Sequence, residues 1–353
     1  MRILVINPGS TSTKIAVFED EKPLFVHNIH HEPDELAKFD DVIGQRQWRK
    51  QLVLDELEQR GIPAEFDAVV GRGGLTKPIE GGVYGVNDAM LDDMEKVQQH
   101  HASDLGCLIA HEIAAMKPGT PSFVADPVTV DELNDYARMS GTPLLPRVSI
   151  WHALNQRATA RRYAKEVGCK YEDLNLIICH LGGGISVAAH EHGRAVDVNN
   201  ALNGEGPFTP ERAGTLPAGQ LIKLCFSGKY TQQELLTITA GKGGLSAHLG
   251  TNNALEVERA MAAGDAHAKL VFDAMIYHVA KSIAAQGAVL CGKVDAILLT
   301  GGIAHSPYLC EELKRRVGYL APVHVYAGED EMGALALNAL AVLRGERAAK
   351  EYK

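Results

Sequence analysis

Asn-Pro-Gly-Ser-Thr-Ser-Thr-Lys, residues 7–14, is a polar turn rich in hydrogen-bond donors that lies between two short apolar stretches. Ile-Leu-Val-Ile at residues 3–6 precedes the turn, and Ile-Ala-Val-Phe at residues 15–18 follows it. Short apolar runs bounded by turn residues are typical of buried strands. The opening of the chain therefore predicts a β-hairpin with a polar turn at its tip.

The same layout returns in the second half of the chain. Leu-Ile-Ile-Cys at residues 176–179 leads into His-Leu-Gly-Gly-Gly at 180–184, and Ile-Ser-Val-Ala-Ala follows at 185–189. The offset between Asn7 and His180 is 180 − 7 = 173 residues, close to half of the 353 residues. A repeat of this length predicts two similarly folded domains.

The other patterns alternate between strands and helices, which indicates α/β layers. No low-complexity linker marks a boundary, and we place it near Pro146, with the last helix packing back on the first domain. The predicted domains are residues 1–146, completed by a C-terminal helix at 331–353, and residues 147–330. The further elements predicted by periodicity are strands at 66–70, 122–125 and 294–299, and helices at 153–167, 266–285, 306–317 and 332–343.

Composition excludes several classes of protein. Hydrophobic residues make up 46% and charged residues 22%, as in an ordinary globular protein, and no apolar run approaches the length of a membrane span. The net charge is 35 − 44 = −9, which argues against nonspecific binding to nucleic acid or anionic membranes. Without such an apolar run, and without the features of a signal peptide at residues 1–8, we expect a cytoplasmic protein, and its six cysteines, which include no C-x-x-C pair, to be reduced thiols.

Three glycine-rich turns have the chemistry of anion or ligand sites. The first offers backbone approach at Gly9, hydroxyl donors from Ser10 and Thr11, and the charge of Lys14, although an ordinary hairpin turn has the same residue types. The second, with glycines at 182, 183 and 184, bares amide N–H groups, or is a flexible turn. The third, Thr300-Gly301-Gly302-Ile303-Ala304, joins a strand to a helix, where two glycines favour a flat ring over a plain turn.

Seven motifs follow one another along the chain: N-P-G-S-T-S-T-K, G-R-G-G-L, S-I-W-H-A-L-N-Q, H-L-G-G-G-I-S-V, G-P-F-T-P-E-R-A-G-T-L-P, L-T-G-G-I-A and G-E-D-E-M-x-A-L-A. Over essentially the whole chain, this order resembles the acetokinase family, and within it the butyrate kinases. That family belongs to the superfamily of acetate and sugar kinases, heat-shock proteins and actin.

The resemblance implies an α/β fold with two ribonuclease-H-like, actin-like ATPase domains facing across a nucleotide cleft. It also implies ATP or ADP with Mg²⁺ as cofactors, a small carboxylate as substrate, and a homodimer or higher homo-oligomer. The two hairpin turns resemble the superfamily's phosphate motifs, with Asn7 among their residues, and Gly301, Gly302, Ile303 and Ala304 resemble its adenosine motif.

Such a reaction needs cations in the site, because an ionised carboxylate must approach the negatively charged phosphates of the nucleotide. It needs no general base, because the carboxylate has already lost its proton. Arg72, between glycines at a strand end, and Arg212 are the candidate cations. A surface position for Arg72, or pairing of Arg212 with Glu205 or Glu211, is the structural alternative.

We expect four further residues to belong to the site, of which the resemblance supports His152 and His180. His152 and His180 lie in motifs whose histidines line the site in the acetate kinase family, where they donate to the transferring phosphoryl group. Asp126 orients a histidine or joins the magnesium shell. Glu331, preferred to Asp330, reaches the metal through water, with Asn7 as the other metal residue.

The sequence departs from the acetate kinase pattern at both arginines. Val69 occupies the position of one family arginine, with Arg72 nearby, and Leu216 occupies that of the other, with Arg212 upstream. Three functions remain open at this point. The chain is a butyrate kinase, or an acetate or propionate kinase; it is a nucleotide-gated binding protein of the same superfamily; or it phosphorylates a hydroxyl group with Asp126 as base.

Overall fold

The computed structural model describes residues 1–96 and 101–353. By their contacts, these residues form two units, Met1–Val130 with Asp330–Lys353 and Asp131–Glu329. The strands are β1 (Arg2–Pro8), β2 (Ser12–Glu19), β3 (Lys22–His30), β4 (Ala68–Gly71), β5 (Val83–Gly85), β6 (Ser122–Ala125), β7 (Asn175–Leu181), β8 (Ile185–Glu191), β9 (Arg194–Val198), β10 (Ala296–Gly301), β11 (Val323–Ala327) and β12 (Lys350–Glu351).

The helices surround these strands. They are α1 (Pro33–Leu36), α2 (Arg46–Gln59), α3 (Asp88–Lys96), α4 (Asp104–Ala114), α5 (Asp135–Arg138), α6 (Ala153–Val167), α7 (Ala218–Cys225), α8 (Gln232–Ala240), α9 (Gly244–Leu249), α10 (Ala254–Ala262), α11 (Ala266–Val289), α12 (Pro307–Val317) and α13 (Glu331–Leu343). Among the described residues, no helix combines the length and apolar character needed to cross a bilayer.

The first unit is built on a mixed sheet with strand order β12-β5-β6-β4-β1-β2-β3. Strands β1, β4 and β6 are parallel, whereas β1, β2 and β3 form an antiparallel meander. Residues 3–6 of β1 are fully buried, as expected of a strand covered by helices such as α4 and α13. The predicted hairpin is confirmed, and its turn consists of residues 9–11.

The second unit repeats this arrangement in the order β11-β10-β7-β8-β9. Strands β7, β10 and β11 are parallel, and β7, β8 and β9 are antiparallel, so they correspond to β1, β4, β6, β2 and β3 of the first unit. The core includes Ile177 and Val187 of the sheet and Phe272 and Ile283 of α11. The sequence repeat therefore reflects two sheets of the same topology.

The N-terminal segment of the first unit ends at Val130, earlier than the predicted domain boundary near Pro146. The segment after Val130 bonds to the second unit's own strand β9. The backbone N–H of Asn134 donates to Val196 O at 2.9 Å, and Arg147 donates to Asp197 Oδ1 at 3.0 Å and to Val198 O at 2.8 Å. Such bonds between distant residues leave no local mark in the sequence.

The C-terminal segment is only partly helical, which corrects the prediction of a helix over 331–353. Helix α13 ends at Leu343, and Gly345 then adopts a left-handed conformation with φ of 72°. The chain continues to β12, which pairs with β5 at the edge of the first sheet. Tyr352 anchors this end: it is 2% exposed, donates to Asp93 Oδ2 at 2.8 Å and accepts the N–H of Lys77 at 3.0 Å.

We expect Tyr352→Ala to lower the free energy of unfolding by about 3 kcal/mol, because it removes a buried ring together with its hydrogen bonds to Asp93 and to the N–H of Lys77. Tyr136, which is 90% exposed, provides the matched control. Tyr136→Ala is expected to change the free energy by less than about 0.5 kcal/mol. Urea unfolding measures both; equal values for the two variants would show that the C-terminal strand does not stabilise the unit.

Candidate functional site

The first unit brings three of the predicted residues to one place. Asn7 is the penultimate residue of β1, Arg72 follows β4, and Glu331 opens α13. Asn7 Nδ2 donates to Glu331 Oε2 at 2.7 Å, and Arg72 Nη1 forms an ion pair with Glu331 Oε1. The Arg72 side chain is only 11% exposed, so it is not the surface arginine of the structural alternative. We call Asn7, Arg72 and Glu331 the first-unit cluster.

The glycines beside Arg72 serve packing. A Cβ at Gly71 would overlap the backbone of Gly106 in α4, so strand and helix meet without a side chain between them. This contact holds the position of Arg72, whose N–H also donates to Ile6 O at 2.8 Å. The glycine that precedes the candidate arginine in the sequence therefore serves close packing and fixes the backbone of Arg72.

Asp126 follows β6, the neighbour of β4. It is completely buried, has a left-handed φ of 40°, and accepts the N–H of Gly82 at 2.8 Å. Strained non-glycine residues cluster at functional sites, which fits the selection of this residue from the sequence.

The two carboxylates near α13 differ in their contacts. Asp330 is the N-cap of the helix, and its Oδ1 accepts the N–H of Gly333 at 2.8 Å. Glu331 instead reaches the first-unit cluster, where its two oxygens contact Asn7 and Arg72.

The turn at residues 9–11 lies beside this cluster in sequence. Ser10 and Thr11 are exposed, and Lys14 is exposed in β2 directly opposite Asn7 in β1. A Cβ at Gly9 would meet only Ser12, at ordinary contact distances of 3.5 Å and more. The protein itself therefore does not require glycine at this position.

In the second unit, His152 and His180 stack face to face. Their ring centroids are 3.8 Å apart and their planes differ by 9°. His152 is the N-cap of α6, and His180 lies near the end of β7. The stack therefore brings the start of α6 against the C-terminal end of β7.

Hydrogen bonds orient each ring of the pair. Gln156 Nε2 donates to Ser186 Oγ at 2.8 Å, so the buried Ser186 hydroxyl donates to His152 Nδ1, also at 2.8 Å. Neutral His152 then carries its proton on Nε2. His180 donates from Nδ1 to Asn155 Oδ1 at 2.8 Å, and its Nε2 lies 3.7 Å from Glu329 Oε2.

This hydrogen-bond chain continues into the core. Gln156 Oε1 accepts from Nε2 of His190 at 2.9 Å, and Tyr171 OH donates to His190 Nδ1 at 2.6 Å. His190 is completely buried, and burial holds its pKa well below the usual value, so it remains neutral. A neutral, fixed relay therefore supports His152 from behind.

The second glycine turn is braced by Arg212. A Cβ at Gly184 would overlap its guanidinium, and Thr209 Oγ1 donates to Gly183 O at 2.6 Å while accepting the N–H of Arg212 at 3.0 Å. A Cβ at Gly182 would meet His180 Nε2 at 3.0 Å, so this turn also lies against the histidine pair.

Arg212 has no carboxylate partner among the described residues. Glu205 pairs with Arg147, and Glu211 accepts from Asn252 at 2.7 Å, so the pairing proposed as its structural alternative does not form. Arg212 Nη1 donates to Ala201 O, while its buried Nε–H lacks a partner among the described residues. Burial lowers the pKa of Arg212, against a smaller opposing effect of Glu211.

The third glycine turn lies next to the second. Thr300 pairs with His180 across β10 and β7, and Gly301 has φ of 90° with no room for a Cβ against Leu181. Gly302 is exposed with open space above it, Ile303 is partly buried, and Ala304 is 4% exposed in the core. Gly302 is thus the member of this motif most open to a ligand.

Four residues of the second unit were not selected from the sequence: Asn155, Gln156, Ser186 and His190. Asn155 and Gln156 follow His152 by three and four positions within the W-H-A-L-N-Q motif. That spacing places side chains on one face of a helix and is the signal that could have found them. Ser186 and His190 lie four residues apart on the same face of β8. Finding them would have required knowledge of which face of this strand points toward His152.

Comparison with known proteins identifies the family of the chain. A family model described as the acetokinase family matches residues 150–321. A protein of Bacteroides thetaiotaomicron named "Probable butyrate kinase" is 62% identical over 353 residues, covering 100% of both chains. The chain belongs to the acetokinase family.

Solved structures show the same fold in this family. Porphyromonas gingivalis acetate kinase superposes with a TM-score of 0.80 over 97% of this chain and 99% of its own, at 18% identity. A propionate kinase from Francisella tularensis superposes with a TM-score of 0.76 over 96% of this chain and 98% of its own, also at 18% identity. The predicted α/β class with two sheets is confirmed.

Proposed function

We propose that this acetokinase-family chain transfers the γ-phosphoryl group of ATP reversibly to a short aliphatic carboxylate, giving an acyl phosphate and ADP. Butyrate is the preferred acceptor in this proposal, because the relative of 62% identity is named a probable butyrate kinase; isobutyrate and other branched acids are close analogues. The observation that carries the chemistry is Arg212, a partly buried guanidinium without a carboxylate partner among the described residues.

The proposed step is a direct displacement. A carboxylate oxygen forms a bond to the γ-phosphorus while the bond from that phosphorus to the β,γ-bridging oxygen breaks, and ADP leaves with the electron pair. No proton is removed from the acceptor, because the carboxylate is already ionised. The requirement on the protein is therefore to stabilise negative charge rather than to supply a base.

The chain offers three kinds of donor for this charge. Arg72 and Arg212 present planar guanidinium groups, which suit carboxylate and phosphoryl oxygens. His152, with its Nδ1 occupied by Ser186, offers the Nε2–H. The phosphates are proposed to bind at two turns: the first turn with Ser10, Thr11 and the neighbouring Asn7 and Lys14, and the glycine turn at 182–184. The adenosine ring is proposed to bind at Gly302.

Mg²⁺ fits this site as a companion of the nucleotide. Among the described residues, no group of three or more His, Cys, Asp or Glu side chains is arranged to hold a metal. Magnesium commonly binds through one or two side chains, several waters and substrate phosphates, so Asn7 Oδ1 and Glu331 would hold it, the latter through water. When bound, the ion neutralises charge on the phosphate oxygens.

Trapping with hydroxylamine tests the proposal, because an acyl phosphate yields a hydroxamate and a phosphorylated hydroxyl group does not. We expect hydroxamate from MgATP and butyrate and its loss with EDTA. Butyrate has two more methylenes than acetate, and burying both corresponds to a preference of roughly fifteenfold for one acid over the other. Faster turnover of acetate or propionate would establish the acetate or propionate kinase alternative. Nucleotide binding without any hydroxamate would favour the binding protein, and transfer to a hydroxyl would favour Asp126 as a base.

We expect Gly9→Val to fold but to bind MgATP at least tenfold more weakly, since the added side chain meets no core residue but obstructs approach to the backbone of the turn. Calorimetric titration with MgADP and MgATP gives the measurement. Gly141→Val, at an exposed position of the other unit with open space around it and no left-handed conformation, is the control, and we expect normal binding. Wild-type affinity in a folded Gly9→Val protein would remove this turn from the nucleotide site.

We further propose a cytoplasmic homo-oligomer, a dimer or a multiple of one, that binds neither nucleic acid nor membranes. Helices α7 and α8 bury none of their residues and expose apolar side chains such as Ile222 and Leu236, and Phe226, directly after α7, is 87% exposed. An exposed apolar surface of this kind fits self-association. Sedimentation of the wild type and of Phe226→Glu tests it: the proposal expects the charge to dissociate the oligomer.

A further inference from the structure

Arg49 of α2 lies buried behind the first glycine turn, with 1% of its surface exposed. Its Nη1 donates to Gly9 O at 2.8 Å and to Ser12 O at 3.1 Å, and its Nη2 donates to Ser10 O at 3.3 Å. Nη1 also reaches Thr13 Oγ1 at 3.1 Å. One guanidinium therefore holds three carbonyl groups of a single tight turn.

The remaining carbonyl group of the turn also accepts a hydrogen bond from the protein, whereas two N–H groups of the turn donate none within the described part of the chain. Thr11 O accepts the N–H of His31 at 3.0 Å. The N–H groups of Ser10 and Thr11, in contrast, have no acceptor among the described residues, and both residues are exposed. With every carbonyl of residues 9–12 held from the protein side, the donors that remain form a backbone site for anions.

The charge of Arg49 is not neutralised by the protein. Its other hydrogen-bond acceptor, Gln45 Oε1 at 2.8 Å, is neutral like the carbonyls, and no carboxylate lies within ion-pair distance among the described residues. Burial lowers the pKa of Arg49 to about 10, which leaves it a cation at neutral pH. Arg46, one turn earlier on the same helix, instead pairs with both Glu95 and Glu112.

A buried cation without an anion is costly, so its retention calls for a compensating partner. We propose that this partner is the phosphate chain of the nucleotide. Arg49 is a positioning residue that orients the turn's donors outward and supplies a positive charge beneath them. This inference rests on the proposed nucleotide site but not on the carboxylate chemistry.

The test compares Arg49→Met, Arg49→Lys and the control Arg46→Met. Dissociation constants are measured by calorimetry for MgADP, inorganic tripolyphosphate and adenosine, after circular dichroism has shown that each variant is folded. We expect Arg49→Met to bind MgADP and tripolyphosphate at least tenfold more weakly and adenosine within twofold of wild type. Arg49→Lys should recover part of the loss, because it keeps the charge but cannot reach three carbonyls together.

The inference is overturned if folded Arg49→Met binds MgADP within twofold of wild type, if adenosine weakens as much as MgADP, or if Arg46→Met shows the same loss. Should Arg49→Met not fold, Arg49→Lys decides: MgADP must weaken at least threefold with adenosine unchanged, and a smaller effect overturns the inference. A wild type that binds neither MgADP nor tripolyphosphate also overturns it.

The proposed function is judged separately, by hydroxamate formation in the wild type. Normal hydroxamate with unchanged MgADP affinity in Arg49→Met rejects the role of Arg49 alone. Phosphate-selective loss in that variant, together with no hydroxamate in the wild type, supports Arg49 and rejects the carboxylate kinase.

Discussion

Arg72→Ala is expected to lower kcat by roughly a thousandfold or more, the size of effect seen for arginines that stabilise a transferring phosphoryl group. Arg72→Lys should be nearly as inactive, because lysine keeps the charge but cannot form two parallel hydrogen bonds. Hydroxamate assays over a range of butyrate and MgATP concentrations give kcat and KM. A loss confined to the carboxylate KM would assign Arg72 to substrate binding instead of the transition state.

Arg60 is the matched control for Arg72, as it pairs with a glutamate at the protein surface. Arg60→Ala should retain full activity, and added guanidinium should partly restore Arg72→Ala by occupying the vacated space. If Arg72→Ala remains within a few-fold of wild type in both kcat and KM, the ion pair with Glu331 is structural, and Arg72 has no role in phosphoryl transfer.

Arg212→Ala is expected to reduce kcat by a factor of roughly a hundred to a thousand while changing the free energy of unfolding by less than about 1.5 kcal/mol. The two effects separate because this guanidinium neutralises no carboxylate of the protein, so its removal leaves no buried anion behind. Steady-state kinetics and urea unfolding of the same preparation measure both quantities.

Arg147→Lys, the control for Arg212, should show the opposite pattern. Arg147 binds Asp197 and Glu205 within the same unit, so its variant should lose stability and keep kcat within a few-fold. A large loss of stability in Arg212→Ala, with activity retained in the folded fraction, would make Arg212 a structural residue.

The sequence predicted most of the fold because its strands carry local signals. Residues 3–6 and 176–179 are continuous apolar runs next to polar turns, and the helix predicted at 153–167 is α6 with the same bounds. The boundary at Val130 and the strand β12 depend on hydrogen bonds between residues far apart in the chain. Periodicity within a short window does not contain that information.

The sequence predicted which residues belong to the candidate site better than it predicted which atoms they contact. Arg72 was selected from the flanking glycines, yet Gly71 is required by the backbone of α4. Arg49 was not selected at all, because an arginine in an amphipathic helix resembles a solvent-facing one until its neighbours in the fold are known. The same holds for Ser186 and His190, whose role appears only in the hydrogen-bond chain behind His152.

The division of the first unit between both ends of the chain bears on its synthesis. Residues 131–329 form the second unit without interruption, so that unit can fold on the ribosome once they have emerged. The first unit lacks α13 and β12 until residues 330–353 have been synthesised, and Glu331 of the first-unit cluster belongs to this later portion. Nascent chains are therefore expected to complete the first-unit cluster only after the whole second unit has been synthesised, and chains truncated before Asp330 to remain without it.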